Sequence, residues 1–149
     1  MNFEVKNIYA GLVTMAIIFT IYAVVVAQMY GEGRFEGPEG NALLAKAILA
    51  LMLGGVLVHI LVAILTNIVL AIIARDPKPS FVVDERDKLI ELRGLRVSYY
   101  VFGAGFVTAI AVMALGAGVF WVFNLLLASC AVSTLVEAVV RLACYRRGF

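Results

Sequence analysis

Apolar residues run along this chain in four long blocks, Ile8 to Ala27, Ala42 to Ala74, Tyr99 to Gly118 and Phe120 to about Leu142, the first three set apart by polar stretches and the last two by a glycine turn. The first block is about 20 residues long, the length of a helix crossing a hydrocarbon core about 30 Å thick. The second runs for about 30 residues; as a helix it would measure about 45 Å, so it tilts in a bilayer or projects beyond it. The pattern predicts an all-α, polytopic membrane protein in which four transmembrane helices form an antiparallel bundle. Helix 2 is long and helix 3 extends into the cytoplasm. The whole chain, residues 1–149, is expected to be one domain with spans at about 8–30, 42–74, 97–118 and 120–143 and a cytoplasmic segment at 75–96.

The connections follow from local chemistry. Gly31 to Asn41 holds four glycines and one proline, which predicts a flexible loop. Pro77 and Pro79 lack amide donors and stop the second helix at Arg75 to Ser80. Asp84 then reads as an N-cap, with Glu85 and Asp87 in a first turn where the helix dipole favours anions and Lys88 one turn from Asp84. Nothing breaks the pattern between Arg96 and Tyr99, so this charged helix runs on into the third span, with Gly94 its only weak point. Gly116-Ala117-Gly118 predicts a tight turn. Tyr9 and Tyr30, Tyr99 and Tyr100, and Phe120 and Trp121 sit where aromatic interface anchors belong.

Composition agrees, since 64% hydrophobic and 15% charged residues lie far from the soluble average of about 45–50% apolar and about 25% charged. Mean hydropathy is +1.03. A signal peptide would have an apolar region of about 7–15 residues and a small-x-small cleavage site, and the first block fits neither. A net charge of +2 is too slight for direct nucleic-acid binding, and its distribution marks topology instead. Ten of the twelve Lys and Arg residues fall at Lys6, between Arg75 and Arg96, or at Arg141, Arg146 and Arg147. The positive-inside rule places both termini and the charged segment in the cytoplasm, in the inner membrane of a cell. Cys130 and Cys144 are about 21 Å apart along one helix and do not bridge.

Asp84-Glu85-Arg86-Asp87, followed by a charged helix with Ile90-Glu91 and by Ser98-Tyr99-Tyr100 at the entry to a span, resembles a group of small predicted bacterial and archaeal membrane proteins of unknown function. The resemblance covers about Val83 to Leu115. It implies the membrane fold, and a signalling role for those members that work beside helix-turn-helix regulators. No functional residue is carried over from it.

Candidate chemistry is sparse. Cys130, Ser133, Thr134, Glu137, Arg141 and Cys144 recur at three- and four-residue intervals, a polar stripe on the fourth span. An acid inside a membrane suggests a proton relay, a cation site or a partner contact; the plainer reading pairs Glu137 with Arg141 near the cytoplasmic interface. His59 could ligate haem, relay a proton or hydrogen-bond a neighbouring helix, and Asn67 could join helices in the same way. Gly55, His59, Ala63, Thr66 and Asn67 share a face expected to look inward. Small residues, Gly105 with Ala109 and Ala114 with Gly118 on span three and Ala16, Thr20, Ala23 and Ala27 on span one, allow close helix approach. Asp84, Glu85, Arg86, Asp87, Lys88, Arg93 and Arg96 could touch a cytoplasmic protein or anionic lipid.

No nucleophile with a base, paired intramembrane aspartates, phosphate loop or metal cluster is present in the sequence, so the expectation is a non-enzyme with no cofactor and no metal. The reading is a self-associating regulatory or scaffolding subunit, a dimer in the lipid bilayer, acting through its charged segment. The alternative is a small oligomeric transporter or channel using Glu137 and the polar face of helix 4.

Overall fold

Four helices make up the described residues, 3–74 and 85–147, in the computed structural model: α1 Phe3–Gly31, α2 Gly37–Ala74, α3 Glu85–Ala114 and α4 Val119–Arg147. Each is long and apolar enough to cross a membrane. The Arg75–Ser80 helix stop and the Asp84 cap lie outside the described residues.

The connection expected to be a flexible loop over Gly31 to Asn41 is shorter than expected, because helix extends into it from both sides. At the end of α1 the amide of Arg34 donates to the carbonyl of Met29 and that of Gly33 to Tyr30, with Gly33 at φ 71°. This is a Schellman cap, which uses glycine in the left-handed region to satisfy the last carbonyls. Pro38 falls in the first turn of α2, where an amide has no helical partner to lose. Gly40 completes the fit, since a side chain there would run into the backbone of Phe35. Phe35 is thereby folded inward, and it joins Val26 and Leu44 in the main core cluster, Leu44 being only 1% exposed.

The third helix starts with the charged residues and continues without a break, as the pattern predicts, but it ends at Ala114 rather than Gly118. The same cap explains the stop: Ala117 donates to Val112 and Gly116 to Met113, with Gly116 at φ 90°. The carbonyl of Gly118 then accepts from Trp121 and Val122 and opens α4. That helix reaches Arg147, with Arg146 and Arg147 in a last turn whose carbonyl dipoles favour cations.

The most extensive packing joins α3 to α4; α1 packs on α2 and on α4, and α2 touches α4 lightly. Among the described residues α3 packs on α4 alone. The backbones come close where Gly105 lies flat against Ser129, and Ala109 beyond it is 0% exposed. At one end of the molecule Tyr30 and Phe35 of the α1 side stack on Phe120, with ring centroids 4.5 and 5.3 Å apart. At the other, the hydroxyl of Tyr145 donates to Asp87 across 3.0 Å.

The apolar side chains face outward. Leu53, Leu57, Leu61, Leu65 and Ile72 of α2 are all exposed. Soluble monomers rarely leave so many large apolar side chains open to solvent.

Candidate functional site

Polar side chains gather along the seam between α3 and α4. On α4, Glu137 and Arg141 stand one turn apart on the side facing α3, and their ion pair closes at 3.3 Å with each side chain about four-fifths covered. Gly94 of α3 makes room for them: a Cβ built there would lie 2.8 Å from Cγ of Arg141 and 3.1 Å from Cγ of Glu137. Gly94, the expected weak point of the helix, is instead buried where two long side chains cross it. About two turns nearer the start of α3, Asp87 accepts the hydrogen bond from Tyr145. The charged beginning of α3 is therefore fixed to the last turns of α4 by a hydrogen bond, a buried crossing and the buried side chain of Ile90.

The stripe expected on α4 divides in two. Ser133 and Cys144 are buried, whereas Cys130 and Thr134 are exposed. The hydroxyls of Ser133 and Thr134 both donate to the carbonyl of Cys130, at 2.8 and 3.0 Å. That back-bonding satisfies a hydroxyl within its own helix. Cys130, Ser133 and Thr134 also form one wall of an open groove of about 720 Å³, whose other wall is α3 from Leu92 to Phe102.

Other candidates stand apart from this seam. His59 and Asn67 of α2 are exposed, though the His59 ring lies against Gly11 of α1. Gly55, Ala63 and Thr66 of the same face are partly covered, Gly55 by Ile18. Gly105 and Ala109 pack within the chain, while Ala114 and Gly118 are exposed. Glu85, Arg86, Lys88, Arg93 and Arg96 are exposed on the charged turns of α3, and Asp84 lies outside the described residues. Cys130 and Cys144 are both free thiols.

Three polar residues escaped the sequence reading. Tyr22 of α1 donates to Oδ1 of Asn124 on α4 at 3.2 Å, and Asn124 in turn donates to the carbonyl of Phe120 at 2.8 Å. Tyr145 is the third, through its bond to Asp87. A lone amide inside an apolar run was the available signal for Asn124, because in a membrane such a group seeks a partner on another helix. Compared with known proteins, the chain matches no family model, no curated protein and no solved structure.

Proposed function

We propose that this is a four-span protein of the inner cell membrane, its helices antiparallel, with both termini and the start of α3 in the cytoplasm. It acts as a self-associating regulatory or scaffolding subunit that presents its charged helix to a cytoplasmic protein. The observation carrying this reading is that the charged turns of α3 are held against α4 as a rigid continuation of a span. Their outer face remains open: Leu89 is 67% exposed among Glu85, Arg86 and Arg93. An apolar anchor ringed by charge on a preformed helix suits recognition by a grooved partner.

The antiparallel arrangement is supported by the pairing order, Asp87 with Tyr145, Gly94 with Glu137 and Arg141, and Gly105 with Ser129. That register also supports the plainer role for Glu137. Residues level with it on α3 lie on the charged side of Tyr99 and Tyr100, and it stands about 27 Å along α4 from Val119, near the limit of a core about 30 Å thick. An ion pair at that depth reaches interfacial water and anchors the helix.

Self-association is supported by α1, where Ala16, Thr20, Ala23 and Ala27 are all exposed. With Gly105 and Ala109 engaged by α4, this is the small-residue stripe left for a second copy, and close backbone approach is what drives association in lipid. Photo-crosslinking residues placed separately at Thr20 and Leu89 test both surfaces in cells. The Thr20 probe should yield a dimer of this chain and the Leu89 probe an adduct with a distinct cytoplasmic protein; absence of both products would overturn the reading.

A further inference from the structure

The groove between α3 and α4 holds a polar cluster flanked on α3 by Leu92 and Leu95 on one side and Phe102 on the other. Arg96, Ser98 and Tyr99 fall within one turn of α3 at its mouth, while Phe102 and the exposed Cys130 continue it toward the span. It has a volume of about 720 Å³ and is open along one side.

The donors at the mouth are uncommitted. Arg96 makes no ion pair with any described residue, and neither the Ser98 nor the Tyr99 hydroxyl is hydrogen-bonded among them. The nearest carboxylate on the facing wall, that of Glu137, is engaged by Arg141. Ser133 and Thr134 have spent their hydroxyl protons on the carbonyl of Cys130. What remains is one cation with two hydroxyls at the level of the Tyr99 and Tyr100 anchors, above a wall suited to hydrocarbon. A guanidinium beside hydroxyl donors matches a phosphate, and the apolar continuation matches a chain attached to it.

We propose that this groove holds an anionic phospholipid, its phosphate on Arg96, Ser98 and Tyr99 and one acyl chain laid along Phe102 and Cys130. The proposal rests on the reading of the helices as membrane spans. It goes beyond diffuse attraction between basic residues and a charged surface, because one cation in a defined groove sets the preference. Phosphatidylcholine presents the same phosphate beside a quaternary ammonium, which Arg96 disfavours, so headgroup charge is the discriminating variable.

The test uses the full-length chain in lipid nanodiscs made with equal amounts of phosphatidylglycerol and phosphatidylcholine of identical acyl chains, followed by release into mild detergent and native mass spectrometry. Retained phosphatidylglycerol should exceed phosphatidylcholine by about fivefold, the effect of one favourable charge near an anionic headgroup. Arg96→Gln, at an exposed position, should abolish the preference, and Arg146→Gln, far from the groove, should keep it. Equal retention by the wild type, an equal loss in Arg146→Gln, or displacement of the lipid by inorganic phosphate alone would overturn the proposal. Failure to enter nanodiscs would remove the membrane reading and the site with it, whereas entry without lipid preference would remove the site alone.

Discussion

Gly94 and Gly105 both face α4, yet a methyl group added to each would meet different neighbours. At Gly94 it would press on Cγ of Arg141 at 2.8 Å and Cγ of Glu137 at 3.1 Å, mid-stem carbons of two side chains joined in an ion pair. At Gly105 it would meet the short side chain of Ser129, fixed to its own helix and hydrogen-bonded to the carbonyl of Leu125 at 2.8 Å. Gly105→Ala should therefore cost about 1–3 kcal/mol, the range for overpacking a close contact. Gly94→Ala should cost less than Gly105→Ala, since alanine recovers about 0.5–1 kcal/mol of helix propensity against the shift it forces on the Arg141 and Glu137 stems. Thermal unfolding in mild detergent distinguishes them: Gly105→Ala melts lower, and adding Ser129→Gly recovers part of the loss. Equal melting temperatures for the two single variants would contradict the packing described. The Glu137–Arg141 pair was legible in the sequence because the i, i+4 interval places both on one face. The glycine beneath the pair was not, because its role depends on which turn of another helix lies opposite.

For the elements, the seam makes the first turns of α3 as well anchored as the span that follows them. The Tyr145 to Asp87 bond should contribute about 1 kcal/mol, as a hydrogen bond to a charged acceptor partly open to water. Tyr145→Phe should accordingly speed amide hydrogen exchange in the first two turns of α3 by about fivefold and leave the middle of the span unchanged. Unchanged exchange in those turns would show that Ile90 and the Gly94 crossing suffice. Helix number and type were legible because blocks of 20 or more apolar residues have few alternatives in lipid. Helix ends were less so: glycine reads as a breaker in a sequence, yet Gly33 and Gly116 cap their helices and tighten the connections. The gap between the expected loop and the observed Schellman turn lies in the distinction between freedom to adopt left-handed backbone and freedom to move.

For the whole molecule, partner choice among the helices was the least legible property. A span is apolar on nearly every side, so hydrophobicity does not mark the packed face; small residues and lone amides do, and those on α1 and α3 look alike until one stripe is seen filled and the other open. Among the described residues α3 packs on α4 alone, an arrangement that supports the seam as a contact between two helices over the wall of a passage. Liposomes containing the wild-type protein should therefore show no proton or cation flux above empty liposomes under an imposed gradient. A wild-type flux lost in Glu137→Gln would reverse the assignment of that residue and favour transport. The same division of contacts bears on biogenesis. The dominant contacts pair α1 with α2 and α3 with α4, so on the proposed topology, with helices inserted in chain order, each helix inserted second would find its partner already in place. The first pair would then be complete before the second begins, and the docking of α4 on α1, with Tyr22 meeting Asn124, would be a late joining of two halves.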